Sequence, residues 1–208
     1  MMKTNEKSIE QHIIDVAKQM FVEKGFHETS MCAIAKAAGI NRPGLHYYFR
    51  TKDRMFEAVF SDIIQPFIPA IHEIVQQDHP IMERTAMVLD VYFEAMTREP
   101  YLPTFLMREI HRDPLHLIDT VCKLETIDYI RKIREILLSE MVAGRIRQVP
   151  LETVFYTFYG LLFIPFLSKP LTDIMFAPHT TDYATRMKEW KAQVMKHITM
   201  LLMPEDAL

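Results

Sequence analysis

Glycine is scarce in this chain: five in 208 residues, scattered, which leaves no Gly-rich loop able to cradle a phosphate. Cysteine is scarcer. Cys32 and Cys122 stand ninety residues apart, so no disulfide framework and no cysteine-rich metal motif is present. The histidines lack ligand spacing as well: His72 and His79 are seven apart and His111 and His116 five, not the i, i+4 pattern of a helical metal site. These four read as surface residues, and no metal or cofactor is expected. Long apolar runs are also missing. The most apolar segment, Val154 to Leu167, falls short of the roughly 20 residues of a membrane span and is interrupted by Pro165. The N-terminal MMKTNEKSIEQ is polar and lacks the apolar core of a signal peptide. A cytoplasmic protein without a membrane partner is the expectation, and in that compartment a disulfide is not expected.

What is present is ordinary globular composition, 49% hydrophobic and 25% charged. The formal net charge of −3 argues against a nucleic-acid partner, but its distribution argues for one. Residues 1–54 carry nine Lys or Arg against six Asp or Glu, whereas residues 55–208 carry fifteen against twenty-one. A basic head on an acidic body has this asymmetry.

Residues 29–52, TSMCAIAKAAGINRPGLHYYFRTK, organise the chain. Met31, Ile34, Ala35 and Ala38 recur at i, i+3, i+4 and i+7 and line one face of a short helix. Thr29 or Ser30 is placed to cap it. Gly39 suits the left-handed residue that ends it. Asn41 then reads as a second N-cap, and Pro43 is acceptable in a first turn, where the N–H groups have no internal partner. Leu45, Tyr48 and Phe49 fall on the inner face of the second helix; Arg42, Gly44, His46 and Tyr47 point outward. This is a helix-turn-helix. Upstream, Ile9, Ile13, Ala17, Met20 and Phe21 make an amphipathic supporting helix ending at Lys24-Gly25.

The segment from about Ile9 to Val59 resembles the DNA-binding domain of the TetR family of bacterial transcriptional regulators. Ile13-Ile14, Ala17, Phe21, Lys24-Gly25-Phe26, Thr29-Ser30, Ile34-Ala35, Ala38-Gly39-Ile40, Leu45, Tyr47-Tyr48-Phe49 and Lys52-Asp53 carry the resemblance. It implies that the second helix of the unit enters the major groove of a double-stranded DNA operator. Arg42, His46 and Tyr47 are then groove residues, and Pro43 and Gly44 open that helix, Gly44 allowing close backbone approach. Tyr48, Lys52, Thr29 and Ser30 become candidates for phosphate contacts, which fix register rather than sequence. Pro43-Gly44 and His46 depart from the usual family residues, which alters particular base contacts.

Downstream, a fourth helix runs from about residue 51 to Ile63, with Pro66 and Pro69 expected to break or kink it. Further helices are predicted at about 81–98, 102–112, 115–143, 151–166 and 181–203, with an irregular connection containing Pro170 and Pro178 before the last. No strand pattern stands out. The fold class is therefore all-α with about nine helices: an N-terminal three-helix helix-turn-helix domain, residues 1–54, followed by a helical ligand-binding and dimerisation domain, residues 55–208.

The resemblance implies a homodimer with an effector pocket in the body. Phe60, Ile64, Met87, Val91, Met96, Phe105, Ile110 and Val121 are candidate lining residues, and adaptable Met side chains suit an apolar or amphipathic small molecule. From the residues alone each reads more readily as ordinary core, and it is the resemblance that raises a shared pocket. Phe155, Tyr159, Gly160, Leu162 and Phe163 lie on a helix apolar almost all round, which needs covering on two sides. With Trp190, Val194 and Ile198 of the last helix they are the expected dimer interface, and the family's dimeric four-helix bundle suits both segments. Cys32 reads as a small core residue. The expected function is a ligand-responsive repressor that binds a near-palindromic operator as a dimer and is released by its effector. The alternative is an enzyme or small-molecule-binding helical protein using the body's cavity, although no Ser/His/Asp set, Cys/His set or nucleotide loop supports catalysis.

Overall fold

The computed structural model of the protein describes residues 2–123, 127–176 and 181–204, and every regular element among them is a helix. In chain order these are α1 (Met2–Glu28), α2 (Met31–Ala37), α3 (Arg42–Tyr48), α4 (Lys52–Ile64), α5 (Ile68–Gln76), α6 (Ile81–Arg98), α7 (Leu102–Arg112), α8 (Pro114–Lys123), α9 (Ile127–Val142), α10 (Leu151–Leu167), α11 (Lys169–Met175) and α12 (Tyr183–Leu202). The chain gathers into two compact units, residues 1–66 with 104–125, and residues 67–103 with 126–208.

Among the described residues two helices appear that the sequence pattern does not predict, α5 and α11. Pro66 and Pro69 do not merely kink the fourth helix: α4 stops at Ile64, and Pro69 sits in the first turn of a new helix, α5, where a missing N–H costs nothing. Pro170 likewise opens α11 within the connection expected to be irregular; Pro178 lies outside the described residues. The helix expected over 115–143 is seen as α8 and α9, and the intervening 124–126 also lie outside the described residues.

In the first unit Ile13, Ala17 and Phe21 of α1, Ile34 of α2, Leu45 of α3 and Met55, Phe56 and Val59 of α4 are buried, with α1 packed on α4 and α2 and α2 on α3. Phe105 of α7 joins this core, its ring 5.8 Å from that of Phe56. Burial of such side chains stabilises by about 1.5–3 kcal/mol each. The second unit centres on Ile71, Leu89, Phe93, Met96, Leu162, Val194 and Ile198. There α10 packs along α12 and α6, and the Trp190 indole N–H donates to the Leu161 carbonyl across 2.9 Å. Among the described residues no single helix is long and apolar enough to cross a membrane.

Candidate nucleic-acid interface and a cavity in the second unit

Each helix of the reading unit is started by a side chain of its own. The Ser30 hydroxyl accepts from the Ala33 N–H at 3.1 Å, the Asn41 carboxamide oxygen from Gly44 at 2.8 Å, and the Thr51 hydroxyl from Arg54 at 3.1 Å. Caps of this kind contribute about 1 kcal/mol each. Gly39 adopts φ 69 at the turn, a conformation that carries a steric cost for residues with a Cβ. At Gly44 the reason for glycine is local: a Cβ would stand 3.0 Å from the Asn41 oxygen that caps the helix.

This scaffold leaves one face of α3 bare. Arg42, Pro43 and His46 are exposed, and Tyr47 is 72% exposed. Leu45 and Phe49 are buried beneath them, and Tyr48 is half-buried with its ring edge-on to Tyr47, centroids 5.1 Å apart. A guanidinium, an imidazole and a phenol on one side of a two-turn helix offer donors and stacking surface to base edges and phosphates.

Two of the expected phosphate contacts are placed differently. Thr29 is fully buried, its hydroxyl donating to the Gly25 carbonyl at 2.8 Å. It ties the end of α1 to the start of α2 and does not present its hydroxyl outward; Ser30 is the exposed cap. Lys52 is half-buried, donates to the His27 carbonyl at 3.2 Å and lies 4.4 Å from the Phe26 ring centroid. Burial, and secondly the neighbouring Arg112, holds its ammonium below the usual lysine range. An ammonium has three donors, so one bond to His27 leaves others for a phosphate. Cys32, expected in the core, is exposed.

Sequence reasoning missed what braces this head. His116 is no isolated surface histidine: it lies 3.4 Å from Asp53, 2.7 Å from the Arg112 guanidinium, and its ring packs on Phe26 and Phe56. Arg112 in turn pairs with fully buried Glu109 at 2.6 Å and stacks 4.2 Å above the Phe26 ring. The Phe26 position was recognisable; its partners, some ninety residues on, carry no local signal.

The second unit holds a cavity of about 470 Å³, within the range of small-molecule sites. Its apolar wall comes from Val88, Ile133, Leu137, Val154, Phe158 and Leu201, among others. Tyr92, Tyr129 and Tyr159 meet at its wall, with hydroxyl separations of 3.4 Å from Tyr92 to Tyr129 and 3.0 Å from Tyr92 to Tyr159. Burial is the main reason all three phenols are pushed above the usual tyrosine range. None of the eight expected lining residues borders this cavity. Phe60, Ile64 and Phe105 are core of the first unit, Met96 is core of the second, Met87, Val91 and Val121 are half-buried, and Ile110 is exposed.

The expected dimer residues divide. Leu162, Phe163, Val194 and Ile198 are buried inside the protomer and Trp190 and Tyr159 are partly so, whereas Phe155 and Gly160 are exposed.

Residues 13–59 match the family described as bacterial regulatory proteins, tetR family. Over these residues the chain is a TetR-family DNA-binding domain. It is 24% identical over 136 residues to the fatty acid metabolism regulator protein of Bacillus subtilis, covering 65% of this chain and 70% of that one. It is 38% identical over 60 residues to the transcriptional regulator AcrR of Shigella flexneri, covering 28% of each. The fold matches that of the fatty acid degradation regulator FadR from Bacillus halodurans with a TM-score of 0.64 at 18% identity, over 90% of this chain and 94% of that one. A chain with this domain is a DNA-binding transcriptional regulator and not an enzyme.

Proposed function

We propose that the protein is a homodimeric, cytoplasmic repressor that binds a near-palindromic operator and is released by a small apolar or amphipathic effector. Residues 1–54 form its DNA-binding domain, and residues 55–208 bind effector and dimerise. The observation that carries this reading is the capped helix α3 with Arg42, His46 and Tyr47 bare on one face. Arg42, Pro43, Gly44, His46 and Tyr47 serve the groove; Ser30, Tyr48 and Lys52 serve phosphates. Thr29 acts by holding Ser30 in place.

The second unit supplies the effector site, at the 470 Å³ cavity. The relatives from Bacillus subtilis and Bacillus halodurans are regulators of fatty acid metabolism and of fatty acid degradation, and an acyl-type molecule suits an apolar wall of this kind. Chain connectivity offers the coupling. Helix α6 lines the cavity and continues through residues 99–101 into α7, whose Arg108 and Arg112 brace α1 and α4. An effector that prefers the cavity in one setting of α6 shifts the population of heads that fit the operator, by no more than its differential affinity.

Exposed Phe155, Tyr156, Gly160 and Ile164 of α10 provide the apolar stripe for a second copy. Selection of bound sequences from random duplex DNA tests the reading. Two inverted half-sites, one or more helical turns apart, are expected; enrichment of a single unrepeated half-site contradicts the dimeric repressor.

A further inference from the structure

The tyrosine cluster in the cavity has one more proton than it spends. Three phenol hydroxyls supply three donors, while the contacts from Tyr92 to Tyr129 and to Tyr159 use two. Whichever way the hydroxyls rotate, one O–H is left over, in a cavity bordered by all three residues. An unspent donor in an apolar enclosure is costly. Elsewhere the polar lining is Thr85, whose hydroxyl is spent on the Ile81 carbonyl, with Arg84, Arg134, Glu152 and Tyr156, and the Arg84 Nε is itself buried without a partner. Arg134, Glu152 and Tyr156 are exposed, and Arg84 is half-buried with its guanidinium donating to the Val75 carbonyl at 3.4 Å. Arg84 precedes Tyr92 by eight residues on α6, an axial separation of about 12 Å. Arg84 is thus well apart from the tyrosines along α6, whereas Arg134 follows Tyr129 by only five residues on α9.

We propose that the end of this cavity at Tyr92, Tyr129 and Tyr159 recognises one neutral oxygen, a hydroxyl or carbonyl, at the far end of an elongated amphipathic ligand whose acidic group stays near Arg84. This deepens, and rests on, the reading of the cavity as the effector site. The phenols are held in their neutral form by burial, so they donate without competing charge. A carboxylate at this end would be desolvated among phenols whose hydrogen-bond partners are one another and no cation. A ligand with a bare methyl end would leave the spare O–H unmet. A carbonyl oxygen accepts it outright; a hydroxyl oxygen accepts it while its own proton goes to one of the phenol oxygens, each of which can also accept.

Isothermal titration of the full-length protein with lauric acid and with ω-hydroxylauric acid tests this. The two probes share chain and carboxylate and differ in one terminal hydroxyl. The wild type should bind the hydroxylated probe about five- to tenfold more tightly, the worth of one net hydrogen bond. Replacing all three tyrosines with phenylalanine removes donors and acceptors together and preserves shape, a change that is close to neutral for stability; an unchanged melting temperature checks this. In that variant the preference should vanish while lauric acid still binds. Equal affinities in the wild type, or a preference that survives the triple substitution, overturn the oxygen-recognition proposal and leave the effector site standing. No binding of either probe to the wild type overturns both.

Discussion

Arg108 on α7 donates from its guanidinium to the backbone carbonyl of Val22 on α1 across 2.9 Å, joining positions 86 residues apart. Its Cδ also lies 3.2 Å from where a Cβ on Gly25 would stand, and Gly25 has φ 83. The end of α1 is therefore shaped by a helix from the middle of the chain. Gly25→Ala meets both backbone strain and that side chain, with an expected loss of about 1–3 kcal/mol. Gly39→Ala, at φ 69 with nothing within 4 Å, meets strain alone and should lose about 1–2 kcal/mol. Urea denaturation gives the order; a larger loss at Gly39 would contradict the role assigned to Arg108.

The Arg112–Glu109 pair has a different signature. Glu109 is fully buried and its second carboxylate oxygen has no partner, so Arg112→Met strands a charge in the core. The expected cost is about 3–5 kcal/mol. Adding Glu109→Leu should return most of it, because the uncompensated charge goes too. A single-variant loss near that of an exposed pair, about 0–1 kcal/mol, would show that the pair is solvated in solution.

Alkaline pH tests the tyrosine cluster independently of any ligand. Burial raises the folded-state pKa of Tyr92, Tyr129 and Tyr159, while the unfolded chain releases these protons near the free value of about 10. Below that pH both states are protonated and the contribution is constant. Above it the folded state binds more protons than the unfolded, so stability falls as pH rises. Phenolate absorbance should show three hydroxyls titrating late, and the phenylalanine triple variant should lose this part of the alkaline destabilisation. Three phenols ionising at the free value would refute their burial.

Gly160 tests the dimer. A Cβ there meets nothing within 4 Å inside the protomer, and in a helix interior any side chain but proline is preferred to glycine. Gly160→Arg should leave the thermal stability of the isolated protomer unchanged while placing a charge in the apolar stripe. Sedimentation should report dimer for the wild type and monomer for the variant. A dimer that persists at the same concentration moves the interface elsewhere.

Legibility followed the range of the signal. The reading unit was readable because Ser30, Gly39, Asn41 and Pro43 each act on their immediate neighbours. Helices α5 and α11 were hidden by Pro69 and Pro170, which mark a helix start as readily as a break. Thr29 could not be told from Ser30 as a cap, since burial decided between them. The cavity was out of reach altogether: Tyr92, Tyr129 and Tyr159 sit on three helices, and nothing in their spacing brings the hydroxyls together. Which residues of α10 are exposed on the protomer was not legible, because an apolar helix shows that it needs two covered faces but not which residue faces which.

The most direct test of the DNA-reading surface is fluorescence anisotropy with duplex DNA from just upstream of the protein's own gene, comparing wild type with Tyr47→Ala across a salt series. Tyr47 is exposed, so its truncation should leave the fold intact. The wild type should bind in preference to a scrambled duplex, with affinity falling steeply as salt rises, and the variant should lose about 1–3 kcal/mol. Equal binding by wild type and variant, with selectivity over the scrambled duplex retained, would contradict the assignment of this face of α3 to DNA.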